Sequence, residues 1–305
     1  MPQRIRAAYV TLLTKIDYLA GVLVLHQSLE AVASRYPLVV MVTPTVTEEV
    51  RKILLKQGIK LFDVEHLIPK ESRHTLAAID ARFSDTWTKL RVFGLDEFER
   101  VVLLDADMIV MKNMDELMDL PLKDDEIAAA HVCACNPRKF QHYPEDWIPE
   151  NCAHTSVQHP LAPPPSWLPI CPRPYGQLNS GTVVLNPSRA LAHKVIDYLN
   201  TTDISSFAFP DQDLLSALFK GKWKALSWYY NALKTLRVLH PQEWDDNEVR
   251  CLHYILPEKP WKTRDLPADD PYRGLNSLWW VRFEEMVRSL DAKDKELVIS
   301  TVVAL

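Results

Sequence analysis

Glycine is scarce in this sequence. Seven occur in 305 residues and none cluster near the first apolar run, which argues against a glycine-rich loop cradling phosphates there. Long apolar runs are also missing. None approaches the roughly 20 residues that span a bilayer. The opening MPQRIRAAYVTLLTK has neither an apolar signal core nor a small-residue cleavage site. The expected address is cytoplasmic, with no membrane span. Basic charge is not in excess, for the formal net charge is -5, so no broad nucleic-acid surface is expected. No Cys-x-x-Cys pair occurs among the five cysteines, and an odd number speaks against a disulfide framework.

What is present reads as a globular α/β chain. Apolar runs at Arg6 to Leu13, Leu38 to Val42, Ile59 to Val64, Val101 to Leu104 and Gly181 to Asn186 have the character of strands. Helical patterns lie between them. One follows Asp17, a candidate cap, with Leu19, Val22, Leu23, His26 and Leu29 along one face. Others run from Val46 to Gln57 before the terminator Gly58, from Trp87 to Leu95, from Ser188 to about Asn200, and from Pro210 to Phe219. Alternation of this kind predicts a mostly parallel central sheet flanked by helices. Residues 1–275 are read as a catalytic domain, with a Cys/Pro-rich ordered insertion at about 133–176. Residues 276–305 are read as a C-terminal helical extension packed on that domain.

The sharpest feature is Val101-Val102-Leu103-Leu104-Asp105-Ala106-Asp107. Ligands of open α/β sheets bind beyond the carboxyl ends of the strands. Alternate side chains of an extended segment point the same way, so Asp105 and Asp107 can converge. Two such acids repel unless a cation joins them, and a hard divalent ion fits oxygen ligands. The plainer reading is a turn at Asp105 with Asp107 solvated. Far downstream, His253 could complete a metal site and Lys259 could neutralise a diphosphate. Equally, His253 could be a structural histidine and Lys259 a surface lysine.

Asp105-Ala106-Asp107, Asn179-Ser180-Gly181, Asp211-Gln212-Asp213 and His253 to Trp261 occur in the order found in glycosyltransferase family 8, which the chain resembles over about residues 6–265. Ala8-Tyr9-Val10-Thr11-Leu12 agrees as well. The resemblance implies a GT-A fold, a UDP-sugar donor, Mn²⁺ (or Mg²⁺) and retention of anomeric configuration. It implies Asp105, Asp107 and His253 as metal ligands. It implies donor contacts from Leu12, Thr14, Tyr18, Lys89, Ala106, Asn179, Ser180 and Lys259, with Tyr18 flanking the uracil. Asp211 and Gln212 would lie near the anomeric carbon, with Lys89 among the catalytic residues. The chain departs from the family pattern at Leu256, where glycine is usual, and at Lys15, where a family member has asparagine.

The acceptor would be a polyol, a saccharide or a protein, and nothing in the sequence excludes a homodimer. Two other functions remain open: a nucleotide-sugar hydrolase or pyrophosphorylase using the same metal, and a non-catalytic protein binding UDP-sugar. Cys133, Cys135, Cys152 and Cys171, near His142 and His154, could hold structural Zn²⁺ or an iron–sulfur centre, or be plain thiols. Trp228-Tyr229-Tyr230-Asn231 could line the acceptor site or the core. Trp279-Trp280 reads as core or interface.

Overall fold

A computed structural model describes residues 6–69 and 78–302. Its strands are β1 (Ala7–Leu13), β2 (Leu38–Val42), β3 (Lys60–Asp63), β4 (Arg100–Leu104), β5 (Met108–Val110), β6 (Ile127–His131), β7 (Leu178–Leu185), β8 (Trp223–Leu226), β9 (Ala232–Leu233) and β10 (Cys251–His253). The helices are α1 (Leu19–Ala31), α2 (Glu48–Lys56), α3 (Arg189–Thr201), α4 (Pro210–Leu218), α5 (Leu236–Leu239), α6 (Arg273–Ser289) and α7 (Ala292–Ser300). Seven strands form the main sheet in the order β3-β2-β1-β4-β7-β6-β8. All run parallel except β7, which is antiparallel to both β4 and β6. A small second sheet has the order β5-β10-β9.

The central strands are apolar throughout because both faces are covered. Val102 and Leu104 of β4 join one core cluster, and Val101 and Leu103 join the cluster on the opposite face. Helix α1 is buried on nearly every side rather than on one. It packs against the small sheet and α6. Ser28 in its middle donates its hydroxyl to the Leu25 carbonyl and accepts the N–H of Val110, which ties α1 to β5. Asp17 does not cap α1. It lies in a one-turn 3-10 helix, Ile16–Tyr18, and the N-cap position falls to Tyr18, whose side chain does not cap the helix. The helix expected at Trp87 to Leu95 is the end of a longer 3-10 helix, Ala78–Gly94. Thr47 and Ser188 cap α2 and α3 with their hydroxyls, as those residue types do well.

Between β6 and β7 the prolines leave only short 3-10 turns: Pro149–Asn151, Ala153–Ser156 and Arg173–Gly176. This stretch builds a small core of its own, in which Val132, Ala134, Trp147 and Cys152 pack with Tyr143 and Phe209. At the far end, Trp279, Trp280 and Phe283 of α6 are buried in the main core beside Trp261.

Candidate active site

The carboxyl end of β4 opens into a cleft of about 550 Å³. The chain leaves β4 through Asp105, whose N–H donates to the Gly181 carbonyl of the neighbouring β7. It re-enters structure at β5, which pairs antiparallel with β10 so that His253 stands opposite Met108. That pairing brings a histidine from residue 253 against acids at 105 and 107. His253 Nε2 lies 3.7 Å from Asp105 Oδ2 and 3.3 Å from Asp107 Oδ1. One ligand atom from each residue falls within 4.8 Å of the others.

The ring of His253 is oriented by an amide network. Asn179 Oδ1 accepts the Gly181 N–H at 2.9 Å, so the Asn231 atom 2.8 Å from that oxygen is its NH₂. Asn231 therefore turns its oxygen to His253 Nδ1 at 2.8 Å. Nδ1 carries the hydrogen, and Nε2, bare in the neutral ring, is aimed at the acids. With the ring neutral these are three converging acceptors, a set that fits a divalent cation. Gly181 is what lets the ring lie there: a Cβ at this position would sit 2.4 Å from His253 Cε1 and 2.6 Å from Nδ1. Gly21 of α1 plays a similar part beneath the acids, where a Cβ would come 2.4 Å from the Ala106 carbonyl oxygen.

Acids and ammonium groups alternate along the cleft floor. Lys89 bridges Asp105 at 2.7 Å and Asp211 at 3.2 Å. Lys259 donates to the Asp107 carboxylate and, at 2.8 Å, to the Tyr254 carbonyl. Burial opposes the charge on Lys89, but Asp105 and Asp211 outweigh it and hold its pKa well above the ordinary lysine value. Burial likewise opposes ionisation of Asp107, and Lys259 and His253 overcome it, holding that carboxyl well below its usual range. Asp105 moves the other way: burial raises it and the Asp107 charge adds to that, more than Lys89 offsets.

Asp211 and Gln212 occupy the first turn of α4, brought to the cleft by Pro210 at its start. Gln212 Oε1 accepts from Asn179 Nδ2 at 3.1 Å. Its buried Nε2 has no hydrogen-bond partner among the described residues. Leu12 and Thr14 line the cleft at the end of β1, and Tyr18 lines it with its ring edge-on to Trp261, centroids 5.4 Å apart. Ala106, Asn179 and Ser180 also face it. Every residue to which the resemblance gives a metal, donor or catalytic role thus lines this one cleft.

Some expectations change. Lys15 pairs with Asp85 at 2.7 Å, and Thr14 also donates to that acid, at 3.3 Å. Leu256 adopts φ +77°, the left-handed conformation that glycine takes most readily, so the backbone follows the glycine-type path despite the leucine. Trp228, Tyr229 and Tyr230 do not line the cleft; Trp228 is buried in the main core, and Asn231 is the residue of that segment that serves the site. Cys171 and His142 stand outside the cysteine cluster. Cys133, Cys135 and Cys152 are joined instead by His240, a residue 69 positions beyond Cys171 that no local spacing announces. Asp85 and Arg138 line the cleft without having been singled out, and Asn231 was singled out only as part of an aromatic segment. Each is an isolated polar residue whose role depends on a partner distant in sequence.

Solved glycosyltransferase structures superpose on this fold. The galactosyltransferase LgtC, solved with donor and acceptor sugar analogs, superposes with a TM-score of 0.61 at 20% identity, covering 93% of this chain and 96% of its own. GlyE of Streptococcus pneumoniae superposes with a TM-score of 0.57 at 17% identity, covering 97% of this chain and 63% of its own. At such identities they speak for the fold, which is GT-A. By sequence, Galactinol synthase 1 of Arabidopsis thaliana is 31% identical over 308 residues, covering 98% of this chain and 84% of its own length. Galactinol synthase 1 of Solanum lycopersicum is 32% identical over 266 residues, covering 85% and 75%. The protein is a glycosyltransferase that draws on a nucleotide sugar. More narrowly, the glycosyl transferase family 8 model matches residues 9–265, and the chain belongs to that family.

Proposed function

We propose that this protein moves a hexose, with retention of configuration, from a UDP-sugar to an acceptor hydroxyl, using Mn²⁺ or Mg²⁺. The curated relatives favour galactose as the sugar and a polyol as the acceptor. Asp105, Asp107 and His253 would hold the cation. A cation bound there supplies Lewis-acid charge that neutralises the departing diphosphate. The observation that carries the reading is the aim of His253 Nε2 between two carboxylates, fixed by Asn231.

The chain's own groups divide the remaining work. Leu12, Thr14 and Tyr18 would flank the nucleoside at the end of β1. Lys259 presents an ammonium to the leaving phosphate, at the moment when its negative charge grows. Asn179 and Ser180 would bind sugar hydroxyls, and the free N–H of Gln212 supplies a buried donor that a hydroxyl can satisfy. The Asp211 carboxylate would face the positive charge that develops at the anomeric carbon. Lys89, 3.2 Å from that carboxylate, would orient it.

The test is a donor screen for UDP release with UDP-glucose, UDP-galactose and UDP-N-acetylglucosamine, with and without Mn²⁺ and inositol as acceptor. The expected result is release that needs both metal and acceptor. Release independent of any acceptor would make the protein a hydrolase. Tight UDP binding without turnover of any donor would make it a binding protein.

A further inference from the structure

A second set of metal-ligating side chains lies beside the cleft, and one of them, Cys133, lines it. Cys133 and Cys135 follow the end of β6, and both sulfurs turn toward the same imidazole. Ala134, between them, is buried in the small core of the insertion, against which both cysteines also pack. Immediately after, Asn136 takes φ +41° and closes a turn on Phe140 through both atoms of its amide, 2.9 Å to the N–H and 3.1 Å to the carbonyl. Cys152 arrives from the joint between two 3-10 turns, and His240 from the end of α5. Cys152 and His240 are buried.

His240 Nε2 points into the middle of the three sulfurs, at 3.7 Å from Cys133, 3.2 Å from Cys135 and 3.7 Å from Cys152. One ligand atom from each of the four residues lies within 4.8 Å of all the others. A tetrahedral zinc site with Zn–S about 2.3 Å and Zn–N about 2.0 Å has S···N edges of about 3.5 Å. The observed edges bracket that value. A polynuclear iron–sulfur cluster spreads its thiolates more widely than this, so the spacing suits a single ion. Soft thiolates with one imidazole select zinc over the hard cations that suit the carboxylate site. Outer contacts brace the set. Glu243 donates its N–H to the His240 carbonyl at 3.0 Å, and its carboxylate meets buried His154, two residues beyond Cys152, at 2.8 Å.

We propose that Cys133, Cys135, Cys152 and His240 bind one structural zinc ion that fastens the insertion to the body of the enzyme. Binding releases the thiol protons to solvent, and no electron is exchanged. The insertion lends Asn136, Phe140, Tyr143 and Trp147 to the wall of the cleft. The ion therefore fixes the shape of the cleft wall, of which Cys133 is itself a part. It is distinct from the ion proposed at Asp105, Asp107 and His253, and its presence does not depend on the transferase reading.

The experiment is elemental analysis of the untagged full chain, purified without chelator from zinc-supplemented cells. One zinc per chain is expected. That zinc should persist in Cys171→Ser and Asp107→Ala and fall below about a tenth of an equivalent in Cys135→Ala and His240→Ala. Because the last two variants could misfold, the wild-type enzyme is also titrated with an organomercurial while released zinc is read with a chromogenic chelator. One zinc should leave as the three thiols react. Cobalt-loaded wild type should show the thiolate charge-transfer band of a tetrahedral site. Wild type free of zinc with freely titrating thiols, zinc lost in Asp107→Ala but kept in Cys135→Ala, or a Cys133–Cys135 disulfide in the intact mass would each overturn the proposal.

Discussion

Replacing Gly181 by alanine perturbs the proposed cation site by one carbon atom, whose three nearest neighbours belong to His253 and Asn179. The added Cβ would lie 2.4 Å from His253 Cε1, 2.6 Å from Nδ1 and 2.9 Å from Asn179 Oδ1. Real Cβ atoms do not come this close, so the ring must retreat. Retreat lengthens the 2.8 Å bond to Asn231, whose amide cannot follow because it is held by Asn179. Overpacking of this sort costs about 1–3 kcal/mol of stability. Disturbing the support of a metal ligand weakens metal binding about 10–100-fold. Titrating Mn²⁺ calorimetrically, in the presence of UDP, should give a Kd raised by about that factor in Gly181→Ala. Gly94→Ala is the control, since its Cβ would meet only Ala192 Cβ, at an ordinary 3.6 Å. Wild-type Mn²⁺ affinity in Gly181→Ala would show that His253 is not a ligand held by this network.

Three further outcomes are expected. Asp211→Asn should lower kcat by about 10²–10⁴-fold while UDP affinity stays nearly intact, and an unchanged kcat removes Asp211 from the chemistry. Leu256→Gly should raise stability by about 1 kcal/mol, since a non-glycine residue in the left-handed region costs about 1–2 kcal/mol; a lower denaturation midpoint contradicts that strain. Burial pushes Asp213 up to about 6, against the pull of the Phe209 N–H. An acid raised by folding binds its proton more tightly in the native state, so its contribution is complete below about pH 4 and lost as pH rises through about 6. For this partly exposed side chain the loss is at most about 3 kcal/mol. Denaturant midpoints across that window should fall with rising pH in wild type and less so in Asp213→Asn; equal slopes in the two proteins rule the assignment out.

The sequence disclosed most where a local pattern dictates the structure. Val101 to Leu104 had to be a buried strand, and acids at its tip had to find a partner. Leu38 to Val42 is β2 to the residue. Less was legible where the outcome rests on pairing between distant segments. The reversal of β7 leaves no mark on Leu178 to Leu185, because a strand buried on both faces has the same composition in either direction. The small strands β5, β9 and β10 are too short for any period to show, yet they are what carries His253 to the acids. Asn231 and His240 are single residues whose partners lie 22 and more than 80 positions away. Asp17 failed as a cap because a 3-10 turn intervenes before α1.

The most direct measurement is UDP binding to wild type and Asp107→Ala, with and without Mn²⁺, by calorimetry. Asp107 touches both His253 and Lys259. Wild type should bind UDP tightly only with the metal, and Asp107→Ala should show no gain from adding it. An equal metal-dependent gain in the variant would contradict a cation held by Asp105, Asp107 and His253.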